Sequence, residues 1–292
     1  MKLIASSLVF WSALAGPALG QVPPAQDRIG ELERKIEVLA GEVERLRIGE
    51  AAEEPSLISE LGLGPAAAKI YKKSSKKVSV GGYGEMTYQN FRGRKQNGTT
   101  AGKADEADFL RGVLYTGYKF NDWITFNSEI EFEHASESKR GEVSLEMAAL
   151  DFRPWKAFGV RTGLLLMPVG LINEVHEPVT FHGVRRPNVE SSLIPTTWRE
   201  NGVGVFGEIG PVEYRSYLVT GLQAVTDSGT SPKVKGFDAS TALRNGRSSG
   251  SKSLADDFAL AARLDVKPKE GTVVGGSFYA GEADHEVVAS VP

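Results

Sequence analysis

Ile124-Thr125-Phe126-Asn127-Ser128-Glu129-Ile130-Glu131-Phe132-Glu133-His134 decides the reading of the chain. Successive side chains of an extended strand point to opposite faces. As a strand, this stretch places Ile124, Phe126, Ile130 and Phe132 on one side and Thr125, Asn127, Glu129, Glu131 and Glu133 on the other. Similar alternation runs through 78–89, 109–120, 143–152 and 258–266, and less cleanly through 160–167, 202–209, 212–220 and 272–280. In 143–152 the pattern sets Val143, Leu145 and Met147 against Ser144 and Glu146; in 258–266 it sets Phe258, Leu260, Ala262 and Leu264 against Arg263 and Asp265.

The connections between these strands sort by length. Phe120-Asn121-Asp122-Trp123, Arg153-Pro154-Trp155-Lys156, Gly210-Pro211 and Lys267-Pro268-Lys269-Glu270-Gly271 are tight and rich in turn formers. Between them lie long connections at 90–108, 135–142, 171–201 and 222–257. Short and long alternate strictly, as they do in outer-membrane barrels with short turns on one rim and long loops on the other. Tyr118, Phe120, Trp123, Phe152, Trp155 and Phe158 gather beside the short turns, where an interfacial aromatic belt belongs. The expected fold class is therefore all-β, a transmembrane antiparallel β-barrel of porin type occupying 78–292.

Upstream, residues 1–20 read as a secretory signal: Lys2 is the charged start, Leu3 to Ala13 the apolar stretch, and Ala18-Leu19-Gly20 the small residues before cleavage. Gln21 then opens the exported chain, and with Cys 0 there is neither a lipid-anchor cysteine nor a disulfide framework. The apolar residues Ile29, Leu32, Ile36, Leu39, Val43 and Leu46 recur at spacings of three and four, which predicts a short α-helical coiled coil over 21–49, with Glu42 and Arg47 placed to pair between chains. β-branched residues at the first core position favour parallel dimers in isolation, and an associating barrel would impose a trimer instead. Residues 50–77, with Gly62, Gly64 and Pro65 and no sustained period, read as a linker. The net charge of -3 excludes a strongly basic nucleic-acid binder, so no nucleic-acid partner is expected.

The run Gly163-Leu164-Leu165-Leu166-Met167-Pro168-Val169-Gly170-Leu171, followed by Ile194-Pro195-Thr196-Thr197-Trp198-Arg199-Glu200-Asn201-Gly202-Val203-Gly204, resembles the phosphate-selective porin O and P family. The likeness spans most of 78–281 and takes in Asp108-Phe109 and Phe120-Asn121-Asp122-Trp123. What the resemblance implies is a trimeric outer-membrane channel, inserted among outer-membrane lipids with the help of the barrel-assembly machinery, whose inward loop narrows the pore and whose basic residues guide anions. This sequence departs from that pattern in the sign of its wall. The expected pore-lining residues are Arg111, Arg215 and Arg263 facing Glu129, Glu131 and Glu133. It departs also in strand number and at its end, Ala289-Ser290-Val291-Pro292, which lacks a closing aromatic strand, so the chain reads as a truncated barrel.

The connection 171–201 is long, carries three prolines and several apolar residues, and is expected to fold into the lumen as a constriction bearing His176, His182, Arg185, Arg186 and Arg199. Two patterns that resemble chemistry do not hold. Gly202-Val203-Gly204-Val205-Phe206-Gly207 has dinucleotide-loop spacing but no helix can follow, since Gly210-Pro211 comes almost at once. His176-Glu177 with His182 has the wrong spacing for a zinc helix and is broken by Pro178, so no metal site or cofactor is expected. The expected function is passive diffusion of small hydrophilic solutes or ions, anions such as phosphate among them, across the bacterial outer membrane, with the coiled coil in the periplasm and no enzymatic step. A second reading makes the barrel an anchor and the coiled coil a tether to the cell wall.

Overall fold

The computed structural model describes residues 25–48, 59–72, 77–135, 141–226, 233–234, 236–237 and 239–285. The expected leader at 1–20 and the chain end at 286–292 lie outside the described residues. The chain divides into two units, 1–54 and 55–292. In the first, α1 (Ala25–Ile48) is one helix with Lys35 paired to Glu31 one turn before it at 2.7 Å. Ile29, Leu32, Ile36 and Leu39 of the heptad stripe stand exposed on it. The side chains of Glu42, Val43, Leu46 and Arg47 lie outside the described residues. No described helix is long and apolar enough to cross a membrane.

The second unit is built on one nine-stranded antiparallel sheet. Its strands are β1 (Val78–Gln89), β2 (Glu106–Lys119), β3 (Ile124–Glu133), β4 (Val143–Trp155), β5 (Phe158–Leu166), β6 (Arg199–Ile209), β7 (Val212–Thr220), β10 (Phe258–Lys269) and β11 (Thr272–Gly281). A small hairpin, β8 (Val225–Thr226) with β9 (Lys233–Val234), sits within the connection before β10. The order β1-β2-β3-β4-β5-β6-β7-β10-β11 pairs every strand with its chain neighbour. β1 and β11 are the two edges and are not paired with each other among the described residues. The nine strands coincide with the nine alternating stretches, several running longer at their ends. β4 and β10 extend through Pro154 and Pro268, and there the register breaks, because proline has no N–H to give the ladder.

Short turns and long connections alternate as the sequence predicts. At the first short turn the Asn121 side-chain oxygen accepts from the N–H groups of Trp123 and Ile124, at 3.0 and 2.8 Å. Gly210 and Gly271 hold two others in the left-handed region that glycine enters without strain.

The sheet is inside out by the standard of a protein core. On β3, Thr125, Asn127, Glu129 and Glu131 are buried while Phe132 is exposed; on β10, Ala259, Ala261 and Asp265 are buried while Phe258, Leu260 and Leu264 are exposed. Val78, Val80, Met86, Tyr88, Leu114, Val203 and Leu218 continue the exposed apolar face, and Tyr118, Phe120, Trp123, Trp155 and Phe158 stand exposed beside the short turns. The opposite face is covered from within the chain by two segments, 59–72 and 167–198. One cluster joins Leu63, Ala67 and Ala68 to Val113 and Tyr115 of β2, Met147 and Ala149 of β4, Tyr217 of β7, Ala259 of β10, Trp198, and partly buried Tyr83 and Tyr279 of the edge strands β1 and β11. Side chains from both edges converge on one cluster, so the sheet is curved around its polar face.

The reading of 50–77 as a linker is corrected over 59–72. This stretch turns at Gly62, ends in the short helix α2 (Lys69–Lys72), and buries Leu61, Leu63, Ala67, Ala68 and Ile70 against the sheet. Small residues let it lie close: a Cβ on Gly117 of β2 would meet Ile70 at 2.7 Å. The absence of a period reflects a segment held by its surroundings, which periodicity does not report. Residues 50–58 and 73–76 lie outside the described residues.

Candidate functional site

The candidate site is the concave polar face with segment 167–198 laid on it. That segment opens and closes at one point. Asn173 donates from its side chain to the carbonyls of Met167 and Trp198 at 2.8 and 2.9 Å, and accepts from the Trp198 N–H at 2.7 Å. Between these ends run short turns at Asn173–Val175, Pro178–Thr180 and Val189–Leu193. Gly170 takes a positive φ, and the Glu190 carboxylate, which accepts from the Leu171 N–H at 2.6 Å, occupies the space a side chain there would need.

From the segment, charged side chains reach the wall. Glu174 meets Arg215 of β7 at 3.0 Å; Arg215 also pairs with Asp265 of β10 at 2.6 Å and with Glu213. Burial pushes the Glu174 carboxyl up to about 7, against the pull of the Arg215, Arg263 and Arg161 guanidiniums. His176 lies on Glu129 of β3 and Glu146 of β4. Burial disfavours its charge, but the two carboxylates outweigh burial and hold it up to about 10. The Glu177 carboxylate accepts from the N–H groups of Ala66 and Ala67, tying the two covering segments together; burial raises it while those N–H groups pull it down. Lower on the wall, Arg161 of β5 forms a bidentate pair with Asp151 of β4 at 2.8 and 2.9 Å, donates to the Tyr217 hydroxyl, and lies over the Phe206 ring.

The six expected pore-lining residues sit on this face, but their charges are not on display. Arg111 pairs with Glu85 at 3.1 Å and Glu131 at 2.7 Å; Arg215 meets three carboxylates; Arg263 pairs with Asp265 at 2.7 Å and bonds the Gly170 carbonyl. The expected arginines, with Glu129 and Glu131, thus lie within ion pairs, Arg111 with Glu131 among them. At close approach on a low-dielectric face, opposite charges lower their energy by pairing. Glu133, at the end of β3, is half-buried.

Of the expected constriction residues, His176 is fully buried and turned to the wall, while His182 and Arg185 are exposed. Arg186 is half-buried, 3.4 Å from the Thr197 hydroxyl and over the Phe181 ring. Arg199 is corrected: it opens β6, where it donates to Glu146 at 3.3 Å and to the Thr197 carbonyl.

Sequence reasoning did not single out Asp151, Arg161 and Glu174, and it set Glu146 and Asp265 on the polar face without their partners. Glu146 is instructive. The β3–β4 register pairs Glu129 with Met147 and Ile130 with Leu145, leaving Glu146 as an extra, bulged residue. Past the bulge the alternation reverses, so Met147, expected on the apolar outer face, is buried inside. Glu129, Glu146 and His176 together form a group able to hold a metal ion; Asp257, Glu282 and Asp284 form a second, more exposed one.

No protein-family model matches the chain. A protein of Aquifex aeolicus (strain VF5) that carries the name "Uncharacterized protein" is 40% identical over 228 residues, 77% of this chain and 49% of that protein. The chain thus spans about half the length of the curated relative it matches.

Proposed function

We propose that this chain forms a porin-like wall in the bacterial outer membrane and supports passive diffusion of small hydrophilic solutes or ions, anions such as phosphate among them. The reading rests on the inversion of faces. Side chains such as Phe258, Leu260 and Leu264 stand in solvent on every other position, while Glu129, Arg161 and Arg215 are enclosed. Each large apolar side chain gains roughly 1.5–3 kcal/mol on leaving water, so an exposed face of this kind belongs against lipid. Strands of 9 to 14 residues are long enough for a tilted crossing of the hydrocarbon layer. The aromatic side chains beside the short turns suit the membrane interface. In lipid the free edges of β1 and β11 require pairing, with each other or with further strands, which makes the fold a barrel.

In this reading the protein is exported by its leader and inserted by the barrel-assembly machinery, with α1 in the periplasm, where its exposed Ile29, Leu32, Ile36 and Leu39 form the seam of a coiled coil. Trimerisation, with the phosphate-selective porin family as the source of the comparison, is part of the proposal. Solutes pass over the face on which 167–198 lies, biased by fixed charge.

A second reading has a specific observation behind it. Segments 59–72 and 167–198 together cover much of the polar face, as a plug would, and an anchor bearing a periplasmic tether needs no open path. Planar-bilayer recording of the purified protein separates the two: stepwise conductance supports the channel, and bilayers that stay silent after verified insertion leave the anchor. Protein that is monomeric in water without detergent would sink both. Selectivity is tested by the double substitution Arg185→Glu with Arg186→Glu, which should lower the anion-to-cation permeability ratio.

A further inference from the structure

We propose that Glu129, Glu146 and His176 bind a divalent first-row transition cation, of which Zn²⁺ and Mn²⁺ are the best suited, and that this ion staples segment 167–198 to β3 and β4. The proposal stands on side-chain geometry and is independent of whether the barrel conducts.

Consider first the imidazole. His176 Nδ1 lies 2.9 Å from the Asn173 carbonyl oxygen, which can only accept, so Nδ1 carries the hydrogen. Nε2 then points at two carboxylates, 3.2 Å from Glu129 Oε1 and 3.3 Å from Glu146 Oε2. A bare nitrogen lone pair facing two anionic oxygens is repulsive, so a positive centre must lie between them. In the metal-free protein the imidazolium proton fills that place and a metal ion would displace it; a single N–H can aim at one oxygen only, and charged N–H···O⁻ bonds close to about 2.7–2.9 Å. Both observed separations are longer. A tetrahedral cation with ligands at about 2.0–2.1 Å sets its ligand atoms about 3.3–3.4 Å apart, which both Nε2–oxygen separations approach.

The remaining atoms agree. One ligand oxygen from each of Glu129 and Glu146 lies with His176 nitrogen in a group whose members are all within 4.8 Å of one another. All three residues are buried, at 0%, 3% and 2% exposure. Glu129 Oε2 and Glu146 Oε2 have no hydrogen-bond partner, and a bound cation would satisfy them. Outer contacts of the kind that orient metal ligands are in place: the Tyr115 hydroxyl donates to Glu129 Oε1 at 2.8 Å, Arg199 donates to Glu146 Oε1 at 3.3 Å, and Asn173 holds the far side of the imidazole. One nitrogen and two oxygens suit borderline and hard divalent ions better than thiophilic ones, and they leave a fourth position for water. The bulge in β4 is what makes the site, since it aims Glu146 inward beside Met147.

The test uses the full chain in detergent, stripped with chelator and titrated with Co²⁺ as a spectroscopic probe and with Zn²⁺ in competition. One equivalent should bind with visible ligand-field bands and a Kd below about 10 µM, and His176→Gln and Glu129→Gln should each weaken binding at least tenfold while Glu133→Gln does not. Absence of saturable one-to-one binding up to millimolar metal overturns the proposal, as does binding that both site variants retain. Should the variants fail to fold, X-ray absorption on the Zn²⁺-loaded wild type decides: imidazole scattering at about 2.0 Å supports the site, and an all-oxygen shell overturns it.

Discussion

Two long connections leave the same rim of the sheet, 90–105 and 167–198, and they end in opposite environments. The first is exposed along nearly all its length and is held by local bonds: the Asp105 carboxylate accepts from the Asn90 side chain at 2.6 Å and the Phe91 N–H at 2.8 Å, and a tight turn joins Lys95 to Thr99. The second buries Ile172, Asn173, Glu174, His176, Glu177 and Trp198 against the wall. The second is also twice as long, but length alone buries no side chain. The difference is that 167–198 carries apolar side chains together with charged ones that find opposite charges on β3, β4 and β7, whereas the glycines, lysines and arginines of 90–105 meet nothing on the wall that outweighs their hydration.

That contrast can be broken most severely at Arg215. Arg215→Met leaves Glu174, Glu213 and Asp265 enclosed without their shared cation, and should destabilise the protein by about 3–5 kcal/mol in urea unfolding followed by tryptophan fluorescence in detergent.

Next comes acidity. Glu174 is held up to about 7 in the folded protein and titrates near the ordinary 4.5 when unfolded. Because the folded value is the higher, its contribution to stability is full below about 4.5 and is lost as pH rises through about 7. The stability of the wild type relative to Glu174→Gln should therefore fall by up to about 3 kcal/mol between pH 4 and pH 8, measured by the same unfolding at each pH.

Asn173→Ala opens the clasp at the ends of the segment and should cost about 2 kcal/mol, with tryptic cleavage after Arg185 accelerated. At the weak end, Lys95→Ala in the exposed connection should change stability by less than about 0.5 kcal/mol. Brief trypsin treatment of the wild type should cut 90–105 before 167–198; the reverse order, read by mass spectrometry, would erase the contrast.

Much of the sheet was legible beforehand because alternation is a local property. Glu129 and Phe132 declare their faces through their immediate neighbours, and Gly210-Pro211 declares a turn by its own chemistry. Segment 59–72 was not legible, since Leu61, Leu63 and Ile70 are fixed by partners far along the chain, Gly117 and Glu177 among their surroundings. The candidate site was legible only in its members' polarity. Arg111, Arg215 and Arg263 declare their charge locally, yet which carboxylate neutralises each depends on strands that meet after folding.

By itself, then, the sequence determined the nine strands, their inside-out faces, the alternation of short and long connections, and the helical stripe of α1, all of which follow from side-chain period and turn chemistry over a few residues. Only the tertiary structure decided that His176 meets Glu129 and Glu146, and that Met147 turns inward. A single bulged residue reverses every side chain beyond it, and a contact between positions 47 residues apart in the chain, such as His176 with Glu129, exists only once the sheet has curved to bring them together.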